Sequence, residues 1–246
     1  MTSDPWTLQA GTFSARARLA GWDKAACAAS RFRREGYVAL RSLAAELART
    51  LGDWVRTLPN NPEGPLKHAT TAALLESAEL REIATAADVW REASLWLGAE
   101  PRVIDVCAWV SEPGGQAALA QGWHRDMDDW RACKQFVFLS DVGDDQGPHE
   151  FVPGSHREEF YENLGLSPEQ WLWGHGRVLD PKMVEGWPRL IVKGPAGTRW
   201  LENTYGWHRG CQVREGTRVI LSVCYGLVEY AHMRDQMNMI KEKWKL

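Results

Sequence analysis

At Gly98 the hydrophobic period of this chain changes from helical to strand-like, and apart from one interruption it stays strand-like for more than a hundred residues. Upstream, apolar positions at helical spacing predict a short helix from Asp23 to Arg34, capped by Asp23 and stopped near Gly36. After a short strand at Tyr37–Leu40, the spacing predicts a Ser42-capped amphipathic helix carrying Leu43, Leu47, Leu51, Trp54 and Val55 on one face. Residues 59–70, rich in Pro, Asn and Gly, read as a loop holding a solvated His68, followed by helix from Thr71 to Trp96, broken near Glu79. Downstream, strands are expected at 103–110, 135–139, 189–192, 198–201 and 217–225, separated by Gly/Pro turns. Helices first and strands second imply an α+β chain with a mainly β core. Many short strands with such turns suit a sandwich or a jelly roll, the class that includes cupins, and the expected architecture is a cupin-like double-stranded β-helix (jelly roll) with the N-terminal helices packed on it.

We expect one domain over 1–246. Residues 1–100 would be mainly helical support, with 1–21 a loose arm. A jelly-roll core would follow at 101–230, and 231–246 would be a tail. The interruption at about 153–188 reads as an insertion with two helical pieces, one opening at Ser167-Pro168-Glu169, and could serve as a lid or be a plain surface excursion.

A chain of 246 residues with 44% hydrophobic content can bury a sizeable core. Its net charge of −3, without long runs of one sign, argues against nucleic acid or a membrane surface as partner and leaves a small molecule. The start lacks a basic and then apolar leader pattern, so a cytoplasmic protein is expected. Five scattered cysteines without a CxxC do not form a disulfide framework or a thiolate zinc site. Fourteen tryptophans allow an aromatic-walled pocket, although core packing accounts for most of them. There is no GxSxG elbow and no phosphate-binding GxxxxGK[ST] loop. Oligomeric state is not legible.

The chemistry concentrates in residues 122–156. Trp123-His124-Arg125-Asp126 sets an imidazole and a carboxylate at i and i+2, on one face if the backbone is extended. With a remote histidine, for which we favour His208, the pair could complete a 2-His-1-carboxylate triad that holds Fe(II) and leaves coordination positions open. An HxD pair is common enough by composition that the residues alone leave ligation and a plain surface pair both open. His149 and His156 lie nearer in sequence but within a Gly/Pro-rich turn, and His175 and His232 read as surface or core-edge groups.

The run WHRD at 123–126, FVFLSDV at 136–142 and GPHEFVPGSHR at 147–157 resembles the phytanoyl-CoA dioxygenase-like family of Fe(II)/2-oxoglutarate oxygenases. Residues 194–227, with a histidine followed by Arg-Gly and an arginine ten residues later, look like the family's second signature, and FRREGYV at 32–38 is similar to its N-terminal FxxxGY(V/I) element. The likeness is thin at 41–100 and 158–190. It implies His124, Asp126 and His208 as iron ligands, and Arg218 rather than Arg214 as partner of the distal 2-oxoglutarate carboxylate. An arginine fork suits that carboxylate through two parallel charge-assisted hydrogen bonds. Lys134, Gln135, Thr204 and Trp200 could contact 2-oxoglutarate or substrate, though strand packing explains each equally well.

Because the carboxylate ligand Asp126 is retained, the resemblance implies oxygen chemistry rather than halogenation. The expected activity consumes Fe(II), 2-oxoglutarate and O2, releases succinate and CO2, and hydroxylates an unactivated C–H of a small molecule. A cupin-like metal enzyme that does not use 2-oxoglutarate and a non-catalytic jelly-roll binding protein are the alternative readings.

Overall fold

The computed structural model describes residues 30–63, 65–114, 119–126, 128–129, 131–166, 180–227 and 234–246. The Asp23 cap, Cys27, the 1–21 arm, the Ser167-Pro168-Glu169 helix start, His175 and His232 lie outside the described residues.

Helix α1 (Arg31–Glu35) ends at Gly36, whose φ of 76° a residue with a Cβ would adopt only under strain, and strand β1 (Tyr37–Leu40) follows. Helix α2 (Ala45–Thr57) starts later than its sequence pattern suggests. Ala44 sits at the cap without a side-chain bond, so Ser42 does not cap it, and Leu47 points outward at 39% exposure while Ala48, Leu51 and Val55 are buried. The segment read as a loop is a β-hairpin, β2 (Asn60–Glu63) with β3 (Leu66–Ala69). His68 is thus a half-buried strand residue edge-on to Trp109, and not a solvated loop histidine. The long helical stretch divides into α3 (Thr71–Leu74), α4 (Ala78–Ala84) and α5 (Ala87–Leu97). Ser77 starts α4 by accepting the Leu80 N–H at 3.1 Å, and Gly98 ends α5 with a φ of 70°.

The strand-rich half supplies β4 (Arg102–Ser111), β5 (Cys133–Phe138), β6 (His149–Phe151), β7 (Leu190–Val192), β8 (Arg199–Glu202), β9 (His208–Gly210) and β10 (Arg218–Gly226). A large antiparallel sheet runs β1-β8-β5-β10-β4-β3-β2 and a small one β7-β6-β9. Between β6 and β7 lie α6 (Glu158–Asn163) and a 3-10 turn at Pro181–Val184. The expected tail is helix α7 (Arg234–Trp244), which buries Met237, Ile240 and Trp244. Among the described residues no helix is long and apolar enough to cross a membrane.

Strand alternation sorts the side chains of the large sheet onto two faces. Val106 and Ala108 of β4, Val137 of β5, Leu201 of β8 and Val219, Leu221, Val223 and Tyr225 of β10 join the helices α1, α2, α4 and α5 in one buried cluster. Their neighbours of opposite parity, Trp109, Lys134, Phe136, Arg218 and Ile220, line a cavity shared with His149, His208 and Gly210 of the small sheet. Helices α1, α2, α4 and α5 therefore cover one face, and the other carries the cavity.

The helix-to-sheet contact is tight at Gly52 of α2, where an added Cβ would lie 2.3 Å from the Leu139 carbonyl oxygen. Alanine ordinarily favours a helix interior by about 1 kcal/mol over glycine. Here the clash with backbone outweighs that gain, and Gly52→Ala is expected to destabilise by roughly 1–3 kcal/mol. Urea denaturation would read this as a lower midpoint at unchanged slope.

Candidate metal centre

His124 and Asp126 do not sit on a regular strand, as their spacing suggested. They lie on a short extended segment anchored by single contacts. His124 and His208 form an isolated antiparallel bridge, each N–H donating to the other's carbonyl at 3.0 and 2.9 Å. The Asp126 N–H donates to the Thr204 carbonyl at 2.7 Å. These bonds tie the HxD segment to the β8–β9 connection, so residues separated by more than eighty positions converge.

The PGSH turn supports this convergence. Ser155 Oγ accepts the Trp207 N–H at 2.8 Å, and the Val152 N–H donates to the Trp207 carbonyl at 2.9 Å, which holds the approach to His208. His156 Nε2 donates to the Arg33 carbonyl at 3.0 Å, and burial holds its imidazole down to about 4, so it is a neutral brace between the turn and α1.

One nitrogen or oxygen each from His124, Asp126 and His208 lies within 4.8 Å of the others, and all three residues are buried. Each histidine turns Nδ1 to the carbonyl two residues earlier, His124 to Gly122 at 2.8 Å and His208 to Gly206 at 2.9 Å. With Nδ1 turned to a carbonyl, each ring presents Nε2 toward Asp126. The Asp126 oxygens stand 4.0 Å from His124 Nε2 and 3.6 Å from His208 Nε2. Two imidazole nitrogens and one carboxylate on one side of a cavity fit a non-haem Fe(II) that keeps open positions.

Lys134 reaches the same carboxylate, with Nζ 2.7 Å from Asp126 and 2.8 Å from Asp128. Burial opposes both charges, yet their mutual attraction holds Asp126 well below the ordinary carboxylate range and Lys134 well above the ordinary amine. The ammonium thus orients one carboxylate oxygen while it lines the cavity.

Arg218 is 5% exposed and lines the same cavity. Its Nη1 donates to the carbonyls of Gly147 and, at 3.2 Å, Cys211, and its Nη2 donates to Ser111 Oγ at 3.2 Å. Nε has no partner, and among the described residues no carboxylate pairs with the guanidinium. Burial pulls its pKa down to about 10, which leaves it cationic at neutral pH. Arg214 is 72% exposed and paired with Asp145 at 3.3 Å, away from the cavity.

The remaining expected contacts fall elsewhere. Thr204 takes part through its backbone carbonyl and is not among the cavity-lining residues. Trp200 is fully buried behind the wall, stacked on Phe136 and donating Nε1–H to Glu202 at 3.1 Å. Gln135 has the opposite strand parity and accepts from the Tyr225 hydroxyl at 2.8 Å in the core. His149, which the sequence placed in a turn, is the first residue of β6. Its Nε2 goes to the buried Glu202 at 2.8 Å, and its ring stacks beside His208 at 5.7 Å between centroids. Sequence reasoning missed Glu202, although its i+2 relation to Trp200 puts both on one strand face.

The family model for phytanoyl-CoA dioxygenase (PhyH) matches residues 32–172. The chain belongs to the PhyH family. That is a family of Fe(II)- and 2-oxoglutarate-dependent oxygenases, and its match runs through the His124/Asp126 segment. Three solved structures share the double-stranded β-helix fold of this PhyH member. The non-haem α-ketoglutarate-dependent epimerase SnoN from nogalamycin biosynthesis is 23% identical with a TM-score of 0.62, covering 87% of this chain and 90% of its own. HygX from Streptomyces hygroscopicus, with nickel and 2-oxoglutarate bound, is 19% identical with a TM-score of 0.56, covering 82% and 91%. EctD from S. alaskensis, with bound Fe, is 20% identical with a TM-score of 0.54, covering 83% and 76%. No curated protein matches the chain in a sequence comparison.

Proposed function

We propose that this PhyH-family chain is an oxygenase that holds Fe(II) with His124, Asp126 and His208, binds 2-oxoglutarate against Arg218, and hydroxylates a C–H bond of a small molecule. The observation that carries this reading is Arg218, a buried cation with no carboxylate partner among the described residues, opening on the same cavity as the three metal-ligand candidates. A buried unpaired charge is costly, and a dicarboxylate that reaches from the metal to the guanidinium would offset that cost.

When bound, Fe(II), 2-oxoglutarate and O2 supply the oxidation, releasing succinate and CO2 as the substrate is hydroxylated. The protein's own groups hold and orient. His124 and His208 present Nε2 lone pairs because Gly122 and Gly206 take their Nδ1 protons. Lys134 keeps Asp126 ionised and fixed. Arg218 receives the far carboxylate through a bidentate fork. Leu66, Trp109, Phe136 and Ile220 give the cavity apolar walls that exclude water and receive the carbon skeleton of a small-molecule substrate.

Anaerobic titration of metal-free protein with Fe(II) and then 2-oxoglutarate tests the reading. The expected result is a weak visible charge-transfer band that is lost in His208→Ala. Iron binding without the band would favour a cupin-like enzyme that does not use 2-oxoglutarate, and no iron binding would refute the ligand set. A mass gain of one oxygen in the product would then separate hydroxylation from epimerisation or ring closure.

A further inference from the structure

Among the described residues, Glu202 is the one fully buried carboxylate beside the metal-ligand candidates that the proposed reaction does not use; it has 0% exposure at the end of β8. Its partners are the Trp200 Nε1–H at 3.1 Å and His149 Nε2 at 3.1 and 2.8 Å. Among the described residues no lysine or arginine pairs with it; Lys134 lies opposite in register on β5, but its ammonium is turned to Asp126 and Asp128. An anion in such a place needs positive charge nearby to persist.

The Glu202 carboxylate faces the back of the His208 imidazole, with Oε1 4.0 Å from Nδ1. It makes no hydrogen bond to that ring, because Nδ1 is turned to the Gly206 carbonyl at 2.9 Å. Glu202 is therefore placed to influence His208 by its charge through space rather than by a hydrogen bond. The ring's other nitrogen, Nε2, faces Asp126 and the metal-binding position. A negative charge behind a ligating imidazole makes it a better donor and attracts the cation beyond it.

We propose that Glu202 is a positioning residue for the metal centre, a buried counter-anion that strengthens divalent-cation binding through His208. This rests on reading His124, Asp126 and His208 as metal ligands. His149 and Trp200 have the separate task of holding the carboxylate in place, Trp200 by donating its Nε1–H and His149 through Nε2.

The test is titration of the metal-free full chain with Co(II), followed by calorimetry and by the visible ligand-field bands of the bound ion. Glu202→Gln keeps shape and most hydrogen bonding but removes the charge, and is expected to raise the Co(II) dissociation constant 10- to 100-fold, on the order found for groups that support metal ligands. Glu202→Asp keeps the charge and is expected to retain more of the Co(II) affinity than Glu202→Gln. A thermal melt of metal-free Glu202→Gln checks that the variant is folded, which is expected because Gln keeps the shape and can still accept the Trp200 Nε1–H. Should that variant not fold, Glu202→Met fills a similar volume without charge and carries the same expected loss. Binding by a folded neutral variant within threefold of wild type would overturn the proposal. If wild type itself binds no Co(II), the ligand set fails, and the role of Glu202 fails with it.

Discussion

Asp126→Ala is expected to lower 2-oxoglutarate-dependent succinate formation by at least about a hundredfold, since loss of a direct ligand should exceed the 10- to 100-fold cost of losing a supporting group. Two changes combine at this position. The metal loses its only carboxylate donor among the three converging groups, and Lys134 loses its partner at 2.7 Å and brings its positive charge to bear on the incoming cation. The fold should suffer less than the chemistry. Breaking a buried pair typically costs 3–5 kcal/mol, but Asp128 at 2.8 Å still faces the ammonium, so a loss of roughly 1–3 kcal/mol is expected. Succinate release and a thermal melt of the metal-free variant separate the two effects. Turnover close to wild type in a folded variant would end the assignment of Asp126 as ligand.

Arg218→Lys should act on the co-substrate. The guanidinium satisfies Gly147, Cys211 and Ser111 on one side, and its planar fork remains available to a carboxylate. Lysine brings a single compact charge that cannot serve both. The expected result is a rise of about 30- to 100-fold in apparent KM for 2-oxoglutarate, or about 2–3 kcal/mol of lost binding. The effect on turnover at saturating co-substrate should be smaller. The charge-transfer band would form at proportionately higher 2-oxoglutarate, which gives a check independent of turnover. An unchanged affinity would take the role from Arg218, and the surface pairing of Arg214 with Asp145 makes that residue a poor successor.

What was legible in the sequence followed local rules. The expected β core is present, and the strands at 103–110 and 217–225 appear within a residue or two as β4 and β10, because both carry long apolar runs that a doubly covered central strand requires. Gly36 and Gly98 ended helices where a left-handed residue was needed. The hairpin at 60–69 was hidden because its turn-forming residues occupy the strands themselves, and its pairing with β4 is a tertiary fact. Strand β6 was hidden because three residues between Pro148 and Pro153 give too short a pattern to show a period. In the site, His124, Asp126 and His208 do converge, while the helpers depended on parity. Lys134 and Gln135 are neighbours in sequence, and only the register of β5 sends the first to the cavity and the second to the core. Lys134 then meets Asp126, a contact that no local pattern encodes.

The small hairpin β2–β3 has a wider meaning. Its buried Leu66 lines the cavity together with Trp109, yet it belongs to the helical half of the chain, far in sequence from His124, Asp126, His208 and Arg218. One part of the cavity wall is thus written in a stretch of the gene apart from the metal-ligand candidates, while Phe136 and Ile220 lie two residues from Lys134 and Arg218 on the same strands. Changes within residues 60–69 can therefore reshape the Leu66 side of the cavity without replacing His124, Asp126, His208 or Arg218.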